Sequence, residues 1–255
     1  MTARQVYEYV LIEINKVETT TLLLEDFNYL INKAIYQFAN KTYNIYDLNQ
    51  QSTDKLRVLK APTAKLTPTI IMSGNSKLYG DFYEVELPSD YFHILNCVCE
   101  FLPLADHKCF KKNEPVYSSA RKLTSDMWPQ SINNYYFKPS QKTPYYFFNN
   151  SAESISTSPL PVRVEIRYGK STNFKLNKVY IDYLKVPQNI LLTTDQIDMI
   201  TDTSQKLEFP DYVCYEIINE LAKLILEQSS DPRLQSHIPV NQSIATPTQL
   251  QAQQQ

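Results

Sequence analysis

The stretch from His93 to Cys109 holds the densest set of soft metal donors in the chain: His93, Cys97, Cys99, His107 and Cys109. A structural zinc site would use thiolates and imidazoles as a tetrahedral set, usually two pairs with two to four residues between the ligands of each pair. Here one residue separates Cys97 from Cys99, and one separates His107 from Cys109. A strand over 93–101 would still put His93, Cys97 and Cys99 on one face. Reduced cysteine is also a common small core residue. These donors therefore read as core, and no metal or other cofactor is expected.

Covalent catalysis finds little to work with. The chain has three histidines, no serine in a Gly-x-Ser-x-Gly turn and no short Cys/His signature. Asp195, Asp198 and Asp202 could do acid–base work or hold a divalent ion, but they lie in a threonine-rich stretch, TTDQIDMITDTS, that reads as a solvated turn. The three glycines, Gly74, Gly80 and Gly169, are about a sixth of ordinary usage. Neither a dinucleotide fingerprint nor a phosphate loop can be built from them. The expectation is a chain that is not an enzyme.

The remaining chemistry is recognition. NNYYFKPSQKTPYYFFNN, residues 133–150, packs seven aromatic residues around a proline-framed turn without a glycine. From Asp106 to Thr143, Lys108, Lys111, Lys112, Arg121, Lys122, Lys138 and Lys142 face only three acids, Asp106, Glu114 and Asp126. Cations interleaved with aromatic rings match the recipe for single-stranded nucleic acid, which needs stacking faces and a charged track. Arg121, Lys122, Lys138 and Lys142 are the candidates for that role. The competing reading is a protein interface formed by Tyr135, Tyr136, Phe137, Tyr145, Tyr146 and Phe147. It takes precedence because the chain as a whole is near neutral, at −2, with nineteen tyrosines, and aromatic residues typify interface cores. Burial of these rings in the chain's own core is a third reading.

Elements must position those groups. At 255 residues with 43% apolar content, the chain is long enough for one large or two modest domains with a real core. No run of roughly 18 apolar residues would span a bilayer, and Met1–Lys16 lacks the pattern of a signal peptide. Synthesis in a cytoplasm with reduced cysteines is therefore expected.

Val6, Tyr7, Val10, Leu11, Ile14 and Val17 form one apolar stripe of a first helix; Leu24, Phe27, Ile31, Ala34, Ile35 and Phe38 form that of a second, ending near Asn40–Tyr43. Ser52 would cap a short third helix that Pro62 stops. Phe82–Leu87 alternates as a strand ended by Pro88, and 93–101 reads as another, with a helix capped by Ser89 as the alternative. Residues 103–161 carry seven prolines and read as a long loop insertion, too proline-rich for central strands. Val162–Tyr168 and Val179–Val186 alternate and read as a hairpin or neighbouring strands. Pro210 would take the first helical position of a final helix with Val213, Ile217, Leu221, Leu224 and Ile225 inward.

The fold class is thus α+β. A helical region over 1–61 precedes a β-rich antiparallel region over 62–204, into which 103–161 is inserted. A C-terminal helix over 205–228 packs on the N-terminal helices in a bundle, and a polar, glutamine-rich tail or arm occupies 229–255.

Several segments resemble a known family. The opening, MTARQVYEYVLIEINKVETTTLLLEDFNYLINKAIYQFANKTYNIYDLNQQSTDKLRVLK, with YEVELPSDYFHILNCVCEF, VYIDYLKVPQNILLT and KLEFPDYVCYEIINELAKLILE, is similar to structural proteins of crAss-like bacteriophages that infect gut Bacteroides. The Leu-Pro-x-Asp-Tyr pattern, the Tyr-Leu-Lys-x-Pro strand and the Phe-Pro-Asp helix start look like those of tailed-phage head-to-tail connector proteins. The resemblance covers roughly 1–102 and 162–228 and contains no catalytic residue. It implies a ring (adaptor) subunit of the virion at the head–tail junction, stacked below the portal protein as a homo-oligomer, a dodecamer. Portal, other tail or ring proteins and the packaged DNA in the channel would be its neighbours. The 103–161 insertion matches no part of that pattern.

Overall fold

The structure, a computed structural model, describes residues 1–14, 22–46, 48–71, 82–106, 109–124, 127, 130, 134, 137–149, 162–169, 173–200 and 204–228. It divides into two compact units, one formed by Met1–Val58 with the chain from Pro187 onward, the other by Leu59–Val186. The fold is α+β, with N-terminal helices and a central β-rich region. Residues 187–200, assigned from sequence to the β-rich region, belong with the helices.

The helical unit contains α1 (Ala3–Glu13), α2 (Leu24–Tyr43), α3 (Gln50–Leu56, extended by a 3-10 turn Arg57–Leu59), α4 (Thr194–Ile197) and α5 (Asp211–Gln228). Thr2 opens α1 with a capping box: its Oγ1 accepts from Gln5 N at 3.3 Å, and Gln5 Oε1 accepts from Thr2 N at 2.9 Å. The first turn of α2 lacks a side-chain cap, but Glu25 and Asp26 complement its dipole. Both helices pack on α5, and the buried side of α2 carries Phe27, Ile31, Ala34, Ile35 and Phe38. Ring contacts fix the joints: Tyr7 meets Phe27 edge-on at 5.0 Å, and Phe38 meets Phe209 edge-on at 5.9 Å. None of the described helices is long and apolar enough to cross a membrane.

The second unit is two sheets over one core. Sheet one has the order β1 (Ala64–Leu66), β9 (Phe174–Lys185), β4 (Tyr91–Pro103), β5 (Val116–Ser119), all antiparallel. Sheet two has the order β2 (Thr69–Ile71), β3 (Phe82–Glu86), β8 (Arg163–Arg167), β7 (Tyr145–Asn149), β6 (Arg121–Lys122), with only the β6–β7 pair parallel. The chain changes sheets at Thr67–Pro68 and again at Ala120, whose amide donates to Cys97 O at 2.8 Å. Phe101, Val179, Ile181 and Cys99 from sheet one meet Val85, Val164, Ile166 and Tyr146 from sheet two in that core.

Four sequence expectations change. The cap of α3 is Asn49, whose Oδ1 accepts from Gln51 N at 2.9 Å, whereas Ser52 lies inside the helix and is buried. The final helix begins one residue later than expected, because Pro210 supplies the carbonyl that receives Val213 N and Cys214 N at 2.9 and 3.0 Å. β8 and β9 are not neighbours: β8 lies between β3 and β7, and β9 lies between β1 and β4. Finally, 103–161 is not only loop, since β5, β6 and β7 fall inside it and β7 is paired on both edges. The prolines next to β7 do not oppose it: Pro144 immediately precedes the strand and Pro139 precedes the Ser140–Thr143 turn, and no ladder amide is needed at either. Tail residues 229–255 lie outside the described residues.

Candidate functional site

The proline-framed turn of the insertion is present. Ser140 and Thr143 exchange backbone bonds at 3.3 and 3.1 Å, and their hydroxyls meet at 2.9 Å. Gly169 anchors it, with φ +78° and a missing Cβ that would lie 2.6 Å from Pro139 O. The aromatic arm after the turn enters sheet two, so the interface assignment fails for two of its residues. Tyr145 and Tyr146 are 6% and 8% exposed; Tyr146 is in the two-sheet core and Tyr145 packs with Leu123. Phe147 is half-buried under the Arg167 guanidinium, 4.5 Å from the ring centroid. Phe137 is exposed. Tyr135 and Tyr136 lie outside the described residues.

Arg121, Lys122, Lys138 and Lys142 are all exposed. Lys122 Nζ stands 5.6 Å above the Phe148 ring, and Phe148 also contacts Tyr91 and Tyr146. Burial, with Lys122 nearby, pushes His93 below its ordinary value. The nucleic-acid candidates therefore keep their cations, while Tyr145 and Tyr146 offer no open stacking face.

Among the described residues the soft donors do not assemble. Cys97 and Cys99 point into the core, Cys109 is exposed and His107 lies outside the described residues. No group of three or more metal-ligating side chains occurs among the described residues. The hydrogen bond with Cys97, followed by burial, holds the Cys99 thiol well above its usual range. Asp195 and Asp198 are exposed around α4, and Asp202 lies outside the described residues.

Two carboxylate sites were not foreseen. Glu84 and Glu165 face each other across β3 and β8, on the side of sheet two away from the core, and both are buried. Like charges directly opposite repel. Arg163 Nη1 reaches Glu84 at 3.4 Å, and Arg167 donates to Glu165 Oε2 through Nη2 at 2.8 Å and Nε at 3.2 Å. With a guanidinium on each, the pair forms an ion network. The only sequence signal was Glu-x-Arg within VRVEIRY, which alternation alone reads as a solvated face.

On sheet one, Glu100 accepts from Tyr180 Oη at 2.7 Å and from Asn177 Nδ2. The Tyr180 hydrogen bond outweighs burial and holds this carboxyl below its ordinary value. Lys65 Nζ lies 5.7 Å over the Tyr180 ring, and Tyr117 stands 6.2 Å from it, 57% exposed.

The Leu-Pro-Ser-Asp-Tyr and Tyr-Leu-Lys-Val-Pro segments meet one another. Asp90 of the Leu-Pro-Ser-Asp-Tyr pattern accepts from Tyr183 Oη at 3.0 Å, and its carbonyl accepts from Val186 N at 2.7 Å. Tyr183 and Val186 both belong to YLKVP. Their role is to pack and turn the chain. In the helical unit, Tyr9 and Tyr215 pair at 6.1 Å on the outer seam of α1 and α5, with Ile12 and Tyr212 one turn away on each helix; all four are exposed.

A scan against protein-family models matches none, and a search of curated proteins gives no match.

Proposed function

We propose that the chain is a virion structural protein, a ring (adaptor) subunit of a tailed-phage head-to-tail connector that sits below the portal and continues the DNA channel into the tail. The observation that carries the reading is the apolar ridge of Tyr9, Ile12, Tyr212 and Tyr215, presented by two packed helices to solvent. Large aromatic side chains grouped on one outer seam supply contact area at low entropy cost and are the composition of interface cores. The family resemblance gives that seam its partners: copies of the chain, the portal and other ring or tail proteins. In this reading the chain performs no catalysis, and packaged DNA passes through the channel it helps to line.

Native mass measurement of the full chain, alone and with its portal protein, tests the proposal. A closed ring, or a stoichiometric portal complex, is expected. A chain that stays monomeric and never joins portal or tail proteins overturns it.

The second reading, a single-stranded nucleic-acid-binding module, rests on the exposed Arg121, Lys122, Lys138 and Lys142 with the Lys122–Phe148 contact. It requires oligonucleotide binding that falls steeply between about 50 and 200 mM salt. Salt-insensitive or absent binding removes it.

A further inference from the structure

The ladder between β4 and β9 is broken at one polar position. Cys99 pairs with Val179 and Glu100 with Lys178, but Phe101 pairs with Leu176, so Asn177 is an extra residue in β9. Leu176 and Val179 are both buried in the two-sheet core. Asn177 and Lys178 therefore turn outward together, where regular alternation would send one of them inward. Bulges re-aim side chains in this way and are concentrated beside functional sites.

The bulge assembles a cluster on the outer face of sheet one. Asn177 Nδ2 donates to Glu100 Oε1, and Tyr180 Oη donates to Glu100 Oε2 at 2.7 Å. Both oxygens of this carboxylate are engaged, and the residue is only 6% exposed. Lys178 stands opposite Glu100, and Lys65 stands opposite Tyr180, which makes the two lysines diagonal neighbours within reach of each other's side chains. Their amines meet: the hydrogen bond with Lys65 holds Lys178 below its ordinary value, and the same bond raises Lys65. Like charges this close on a sheet repel. Glu100 offsets one of the two cations, while Asp182 accepts from Thr63 Oγ1 at 2.6 Å and is offset by exposed Lys175. The face keeps a net positive charge, and an oxyanion laid across the two amines relieves their repulsion.

An aromatic platform adjoins the lysines. Tyr117 stands opposite Glu100 on β5, its ring 6.2 Å from that of Tyr180. Lys65 Nζ lies over the Tyr180 ring at 5.7 Å, whereas Tyr117 is 57% exposed. Cations for a phosphate beside an open ring for a base, carried on a sheet face, are the parts of a nucleotide site.

We propose that Lys65, Lys178 and Tyr117 form a nucleotide site in which the phosphate lies across the two amines and the base stacks on Tyr117. The nucleotide is either free or a unit of a single strand. The site goes beyond the connector reading, does not depend on it, and uses none of Arg121, Lys122, Lys138 and Lys142.

The test is a nuclear magnetic resonance titration of the full chain at low salt with inorganic phosphate, adenosine, adenosine monophosphate and a single-stranded oligonucleotide. The monophosphate should shift the signals of Lys65, Lys178 and Tyr117 together and bind more tightly than phosphate or adenosine. Tighter binding of the oligonucleotide through the same three residues supports a strand as the source, and equal or weaker binding supports the free nucleotide. Lys65→Met and Lys178→Met should each weaken binding about tenfold, and Lys178→Arg should retain it. Tyr117→Ala should weaken monophosphate binding about fivefold or more and leave phosphate binding unchanged. Thermal melts check that each variant is folded. A wild-type chain whose three signals respond to none of the probes overturns the site. Monophosphate that binds no tighter than phosphate, and that ignores Tyr117→Ala, overturns the nucleotide assignment. Oligonucleotide binding lost with Arg121→Ala and Lys122→Ala but kept in Lys65→Met, Lys178→Met and Tyr117→Ala places the contact on the other patch and overturns this one.

Discussion

Asn32 holds Ile190 as a neighbouring strand would: its Nδ2 donates to the Ile190 carbonyl and its Oδ1 accepts from the Ile190 amide, both at 2.8 Å. Asn28 does the same for Leu192, at 2.9 and 2.8 Å. The match is geometric. Four residues of helix rise about 6 Å, and two residues of extended chain span about 6.6 Å, so asparagines one turn apart meet alternate peptides. The side chains of Ile190 and Leu192 are thereby held in the core of the helical unit.

Asn28→Ala and Asn32→Ala should each destabilise the protein by about 1–3 kcal/mol, the cost of leaving buried peptide groups without their partner. Asn32→Asp should not rescue, because a carboxylate cannot donate to the Ile190 carbonyl. Thermal melts give the magnitude, and hydrogen exchange at the amides of residues 190 and 192 should accelerate. Unchanged exchange at both amides would show that the asparagines do not hold this segment.

Arg167→Met should cost about 3 kcal/mol or more, since it removes the guanidinium from a buried glutamate. Its side chain is 11% exposed and that of Glu165 is 5% exposed. Replacing both, as Glu165→Gln with Arg167→Met, should recover much of the loss. Chemical denaturation of the two single variants and the double variant measures the coupling; additive losses would mean that the pair is not a working ion pair.

The pH dependence has two arms. Burial, aided by Asp90, pushes Tyr183 up to about 12, so its neutral form is favoured by folding. That stability is fully present below the unfolded tyrosine value of about 10 and is lost as pH rises through the folded value. Glu100 is depressed, so its contribution is present above the ordinary 4.5 and is lost as pH falls through its lower folded value. Ultraviolet titration should show a late phenolate that Tyr183→Phe deletes. The stability gap between wild type and Glu100→Gln should narrow in acid; a constant gap refutes the Glu100 arm.

Of the four thiols, Cys109 alone is exposed. Native protein should react with an aromatic disulfide reagent at one cysteine, and at all four once unfolded. Burial raises Cys214, and the Cys97 hydrogen bond with burial raises Cys99, which withholds thiolate from the reagent at neutral pH. Cys109→Ser should abolish the fast phase. A second fast thiol would place Cys97, Cys99 or Cys214 outside the core.

Local order was legible wherever period and burial coincide. The stripe from Phe27 to Phe38, the alternation of Phe82–Glu86 and the stripe from Val213 to Ile225 are properties of short windows, and each became the element its period demanded. Pairing is not local. Tyr145–Asn149 has the residue types of a strand, but its neighbours are Arg121–Lys122 and Arg163–Arg167, which no window of sequence brings together. For that reason Tyr145 and Tyr146, which look like contact residues in isolation, turned inward.

Buried charge follows the same rule. Glu84 and Glu165 satisfy the alternation of a solvated face, and only the sheet order and the two arginines make that face an ion network. Asparagines four apart on α2 are unremarkable as letters and become a clamp only when residues 190–192 lie along them. The sequence by itself determined the long helices, the strands of Phe82–Glu86 and 93–101 and the mixed α+β class, because hydrophobic period acts within a few residues, whereas β5, β6 and β7 were hidden in a segment that reads as loop. Tertiary structure alone decided which strands adjoin, which aromatics are buried and which polar side chains find partners, because those free energies come from groups far apart in the chain.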